Sequence, residues 1–264
     1  MEQAQDFLAE SEALAAILAD LEDKDFVQET QFKGWTINDV LAHLHFWNRA
    51  ADLSLTDPDK FKSELDELVK ALAGSSLRTF ENGKVRERGR DLLAAWQELF
   101  LDMGPRWSKL DPKMRVQWAG PDMSVRSSMT ARQMETWAHG QEVFDVLGVE
   151  RKEADRIRNI VVLGVNTFGW AFKVRGRDVP ETMPHLTLTL PSGFVVEYGE
   201  AGQAERITGQ AVEFAQVVTQ TRNIADTSLT VEGPIATEWM AHAQCFAGPP
   251  ETPPAPGSRF RKAG

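Results

Sequence analysis

Apolar residues recur at spacings of three and four through the first half of the chain and alternate with polar ones only in the second half. Over residues 6–21, Phe7, Leu8, Leu14, Ile17, Leu18 and Leu21 mark one face of an amphipathic helix. The Thr36 hydroxyl can cap a second helix from Ile37 to about Leu55, where Thr56-Asp57-Pro58 resets the chain. The pattern then predicts a charged helix over 59–72 that Gly74 ends. A further helix over 84–101 has Leu92, Leu93, Trp96, Leu99 and Phe100 on its buried side, with Pro105 closing it. Residues 115–129 lose the period, and Gly120-Pro121 reads as a turn between two short strands. Thr130 with Gln133 three residues later has the form of a capping box, which would open a helix over 131–147 that Gly148 ends. Glu135 and His139 would then lie in its first turns.

Beyond the charged stretch 150–155 the pattern predicts a helix to about Phe172, followed by alternation over 185–190. A turn at Pro191-Ser192-Gly193 and a second strand over 194–198 complete a hairpin. A helix over 211–219, a strand near 228–231 and a helix over 235–246 follow. The Pro-rich residues 249–264 cannot be helical and are expected to lie over the surface. The predicted organisation is mainly α with a smaller α+β part: a helical bundle over 1–150, a mixed α+β module over 151–248 and a Pro-rich tail.

Composition narrows the function classes. A net charge of −10 would repel a phosphate backbone, and the short basic cluster Lys84-Val85-Arg86-Glu87-Arg88 carries an acid within it, so nucleic acid is not expected as a partner. No run of 18 apolar residues exists, so no membrane span is expected, and residues 1–6 lack the form of a signal peptide, so a cytoplasmic location is expected. Cys245 is the only cysteine, which excludes an internal disulfide, a cysteine-rich zinc site and an iron–sulfur cluster carried by this chain alone. Any metal must sit on His and carboxylate. Three of the five histidines, His43, His45 and His139, fall in two predicted helices of the first half.

Glu135 and His139 are four residues apart and project from nearly one helix face, where two heads can share one ion. His43 falls on the side of Val40, Leu44 and Trp47 and can point inward, while His45 points away. On spacing alone a surface helix pair and a hydrogen-bonded core histidine stay open.

The segment Trp35-Thr36-Ile37-Asn38-Asp39-Val40-Leu41-Ala42-His43-Leu44 resembles the motif that opens the second helix of the DinB-like family, in the branch of mycothiol-dependent maleylpyruvate isomerase N-terminal domains. The segment Met134-Glu135-Thr136-Trp137-Ala138-His139-Gly140-Gln141-Glu142 resembles that branch's second metal motif. The resemblance covers roughly the first 150 residues and implies an up-and-down four-helix bundle in which His43, Glu135 and His139 hold a divalent ion, usually zinc. It further implies a low-molecular-weight thiol as co-substrate and isomerisation or S-transfer on a small electrophilic substrate. An anionic substrate would need a cation, and Arg222 is the candidate by similarity to an arginine that the isomerases contribute from their C-terminal domain. The stretch 219–248 resembles a short module named after wyosine-base formation, whose radical chemistry would need a cysteine triad that this chain lacks. Three other readings stay open: metal binding without catalysis, with His45 or Glu142 as a fourth ligand; a metal-dependent hydrolase; and an interaction module with structural histidines.

Overall fold

The computed structural model describes residues 1–263, and the chain divides into two units, 1–149 and 150–263. The first is built on four long helices, α1 (Glu2–Leu18), α2 (Ile37–Thr56), α5 (Gly89–Ser108) and α6 (Val125–Val146). Two shorter helices, α3 (Pro58–Leu72) and α4 (Leu77–Lys84), lie between α2 and α5. Helix α1 packs on α5 and α6, and α2 packs on the same two, so α1 and α2 stand diagonally across the bundle. Phe7, Leu14 and Leu18 of α1, Leu41 and Leu44 of α2, Trp96, Phe100 and Met103 of α5, and Val125, Met129 and Val143 of α6 fill its core. A two-stranded ribbon, β1 (Arg115–Val116) with β2 (Met123–Ser124), leads into α6.

Helix α2 begins where its sequence says. The Thr36 hydroxyl accepts from the Asp39 amide at 3.1 Å, and the Asp39 carboxylate accepts from the Thr36 amide at 2.9 Å, a reciprocal cap. Of the boundaries that differ from the expectation, three lie in α5 and α6. Helix α5 starts at Gly89, not 84, because Arg88 is extended and Gly89 has φ +57°, outside the right-handed helical region. It also continues through Pro105 to Ser108. The carbonyl that Pro105 leaves without a donor belongs to Leu101, which is half exposed and can be hydrated. Helix α6 opens at Val125, where the Ser124 hydroxyl accepts from the Ser127 amide at 3.1 Å, so Thr130 and Gln133 lie inside the helix and do not cap it. Glu135 and His139 are therefore mid-helix.

The second unit holds a four-stranded sheet in the order β4 (Val195–Tyr198), β3 (His185–Thr189), β5 (Arg206–Gln210), β6 (Thr230–Glu232). The β3–β4 hairpin is antiparallel, β5 runs parallel to β3, and β6 is antiparallel to β5. Strand β5 was not foreseen. It carries one large apolar residue, Ile207, and its Gly209 admits the close approach of Leu229. Leu186, Leu188 and Ile207 are fully buried. Helix α9 (Ala211–Val218) packs on β3 and β5. The expected single helix to Phe172 is two, α7 (Arg158–Asn166) and α8 (Phe168–Lys173), and α10 (Pro234–His242) packs on α8 and β6. Residues 249–263 form no helix or strand. They are tied to this unit by Asn223 Nδ2 donating to the Pro254 carbonyl at 2.8 Å and Arg259 donating to the Gln220 carbonyl at 2.8 Å. No helix among the described residues is long and apolar enough to cross a membrane.

Replacing Thr36 with Ala removes one half of the cap on α2. It is expected to lower the stability of the first unit by about 1 kcal/mol, read from chemical denaturation followed by circular dichroism.

Candidate metal centre

The structure brings His43 of α2 together with Glu135 and His139 of α6, and one donor atom from each lies within 4.8 Å of the other two. Glu135 Oε2 stands 3.5 Å from His43 Nε2 and 3.4 Å from His139 Nε2. These separations exceed a good charged hydrogen bond, which lies near 2.8 Å. They match the edge of a tetrahedron of ligands about 2.0 Å from a zinc-type ion, about 3.3 Å. His43 is buried, and its Nε2 has no hydrogen-bond partner. Glu135 and His139 are partly exposed. Neither His45 nor Glu142 joins the cluster among the described residues.

Glu81, which sequence reasoning missed, orients the first of these candidate ligands. Its Oε1 lies 2.9 Å from His43 Nδ1 and accepts from Trp47 Nε1 at 2.7 Å. A carboxylate on Nδ1 leaves the Nε2 lone pair for a metal, the usual arrangement behind a histidine ligand. Glu81 sits on α4, a helix whose sequence has no sustained apolar period; Ser76 caps it, accepting from the Thr79 amide at 3.2 Å. Asn82 next to it donates to Asp39 at 2.6 Å, which ties α4 to the cap of α2. No spacing in the sequence marks this contact, because Glu81 and His43 are 38 residues apart.

Aromatic rings wall the centre. Trp35 stacks parallel to His139 at 5.6 Å and meets His43 edge-on at 5.3 Å, and Phe32 meets His139 edge-on at 5.1 Å. Trp47 packs on Trp118 at 5.5 Å, and Trp118 lies under the Arg132 guanidinium at 5.1 Å. Burial opposes charge on His43, but Glu81 and Glu135 outweigh it and raise the imidazole to about 9. Burial also pushes the Glu135 carboxyl upward, but His139, His43 and Arg132 hold it well below its usual range. Burial lowers His139, which keeps that imidazole neutral and able to bind an ion.

The profile of the mycothiol maleylpyruvate isomerase N-terminal domain matches residues 7–144, more than half of the chain and all three candidate ligands. The chain belongs to that family. Within and around the family, uncharacterized proteins from two strains of Mycobacterium tuberculosis are each 36% identical to it over 253 residues, covering 93% of this chain and 95% of the relative. The crystal structure of the mycothiol-dependent maleylpyruvate isomerase aligns with a TM-score of 0.51 at 14% identity, covering 82% of this chain and 87% of that one. A His-to-Ala mutant of that isomerase aligns with the same TM-score at 13% identity. At such identities the likeness is one of fold. Arg222, the other residue singled out by family resemblance, lies in the second unit and donates to the Thr221 carbonyl at 2.8 Å.

The proton on His43 must leave before an ion can bind Nε2. Below pH 9 the metal-free protein holds that proton, so divalent-ion affinity is expected to rise about tenfold per pH unit from pH 7 towards 9 and then level off. Glu81→Gln is expected to move the levelling point to lower pH and, at pH 9.5, to weaken binding about 10–100-fold. Titrations with a competing chelator at each pH measure both effects.

Proposed function

We propose that His43, Glu135 and His139 hold one divalent ion, and that the protein uses it for a thiol-dependent isomerisation or S-transfer on a small electrophilic substrate. Two imidazole nitrogens aimed at one carboxylate oxygen, at separations of 3.5 and 3.4 Å that suit coordination better than hydrogen bonding, carry this reading. Two nitrogens and one carboxylate oxygen are the donor set of a catalytic zinc site, which keeps a further position open for water or substrate. Bound there, the ion would act as a Lewis acid that lowers the pKa of a thiol or polarises a carbonyl.

The chain's own residues prepare this chemistry. Glu81 fixes the ring of His43, and Trp47 fixes Glu81. Trp35 and Phe32 hold the ring of His139 and exclude water from that side. Glu135 stays ionised because the groups around it favour its charge. The related fold is that of a mycothiol-dependent maleylpyruvate isomerase, which supports a thiol as co-substrate and an unsaturated acid as substrate. In such a reaction the thiol adds to the conjugated double bond, the resulting single bond rotates, and the thiol leaves unchanged. Arg222 is our candidate in the second unit for binding an anionic substrate.

Elemental analysis of protein purified without a metal-affinity column is expected to find one divalent ion per chain, lost in both His43→Ala and His139→Ala. Turnover of a cis-unsaturated keto acid is expected only when a low-molecular-weight thiol is added. The absence of a stoichiometric ion, or its retention in both variants, would overturn the reading, and thiol that only inhibits would point to water as the nucleophile. Arg222→Met is expected to raise KM for an anionic substrate about tenfold with the ion retained; an unchanged KM removes Arg222 from substrate binding.

A further inference from the structure

Arg132 is 4% exposed, and its Nε and Nη1 are buried without a hydrogen-bond partner. Arginine stays protonated in proteins, so this is a buried cation whose donors are unmatched by the chain around it. Such a group is costly to the fold unless a ligand completes it. Its position on α6 is also informative. Arg132, Glu135 and His139 follow one another at spacings of three and four, so Arg132 sits two turns before His139 on the face that carries the candidate ligands.

The surroundings close a ring about the centre. Arg132 lies over Trp118, Trp118 touches Trp47, Trp47 shares the Glu81 carboxylate with His43, and His43 faces Glu135. The anion that supports the charge of Arg132 is Glu135, which makes no hydrogen bond to Nε or Nη1. Two hydroxyls one turn to either side, Ser128 Oγ and Thr136 Oγ1, are also buried without partners. Once a divalent ion draws on Glu135, the charge of Arg132 loses that compensation. Even with Glu81 counted, the cluster is then positive and calls for an anion.

We propose that Arg132, stacked on Trp118, binds the carboxylate of an anionic ligand whose other end reaches the His43, Glu135 and His139 centre. This rests on the metal-centre reading above and deepens it: the ligand is a small carboxylic acid, recognised by the flat fork of the guanidinium. The carboxylate can belong to the thiol or to the electrophile.

The test is calorimetric titration of the zinc-loaded full chain with two matched pairs: thioglycolate against 2-mercaptoethanol, and maleate against maleic diamide. Wild-type protein is expected to bind the charged member of at least one pair about tenfold or more tightly than the neutral one. A preference in the first pair assigns the carboxylate to the thiol, and one in the second assigns it to the electrophile. Arg132→Met is expected to abolish the preference while leaving the zinc content and the neutral ligand's Kd unchanged. Arg132→Lys is expected to keep only part of it.

A second readout does not depend on a folded Met variant. The Arg132 Nε–H resonance of wild-type protein, assigned by its loss in Arg132→Lys, is expected to shift with the charged ligand and not with the neutral one. No preference in wild-type protein, a preference that survives in Arg132→Met, or an Nε–H resonance indifferent to charge would each overturn the assignment. Failure of the metal-centre reading is seen separately, as zinc that does not bind stoichiometrically or a neutral thiol that produces no heat, and the proposal then falls with it.

Discussion

The candidate centre depends on one hydrogen bond, that between Glu81 and His43 Nδ1. It decides which imidazole nitrogen faces Glu135 and His139, and it does so from a helix that the apolar pattern leaves unmarked. The same helix is fastened to the start of α2 through Asn82 and Asp39. Asp39 in turn completes the reciprocal cap with Thr36. The residues that begin α2 and those that aim its histidine are therefore one connected set.

The second constraint is the polarity of α6 at the heart of an apolar bundle. This helix buries Val125, Met129, Trp137 and Val143, but also Ser128, Arg132, Gln133, Thr136, Gln141, Glu142 and Asp145. Polar groups in such number are kept inside a fold when they are paired or when they bind something. Trp35, Trp47 and Trp118 screen the centre from water and lower the local dielectric, which strengthens every charge interaction among His43, Glu81, Glu135 and Arg132. The tryptophans thus divide by role. Trp96, Trp107, Trp137 and Trp239 are fully buried, whereas Trp35, Trp47 and Trp118 form the wall of the site.

Helices were legible wherever an apolar period coincided with a strong cap, as at Thr36. The boundaries that shifted did so where a second cap competed or where a backbone rule had a local exception. Ser124 preceded Thr130 as the cap of α6, Pro105 was tolerated four residues after the half-exposed Leu101, and Gly89 took a backbone conformation that the sequence alone does not require. Strand β5 was missed because a short, central strand with one large apolar residue has no alternation to read.

The sequence by itself determined the helical character of the first 150 residues, the mixed character of the rest and the family, because local periodicity, caps and motif order are properties of neighbouring residues. It also named His43, Glu135 and His139 as residues that belong together. Only the tertiary structure decided that Glu81 stands behind His43, that Trp35 stacks on His139 and that Arg132 is buried on Trp118 without a matching hydrogen-bond partner. Each of these joins side chains on separate elements, and no local spacing encodes a contact that forms only when the elements pack.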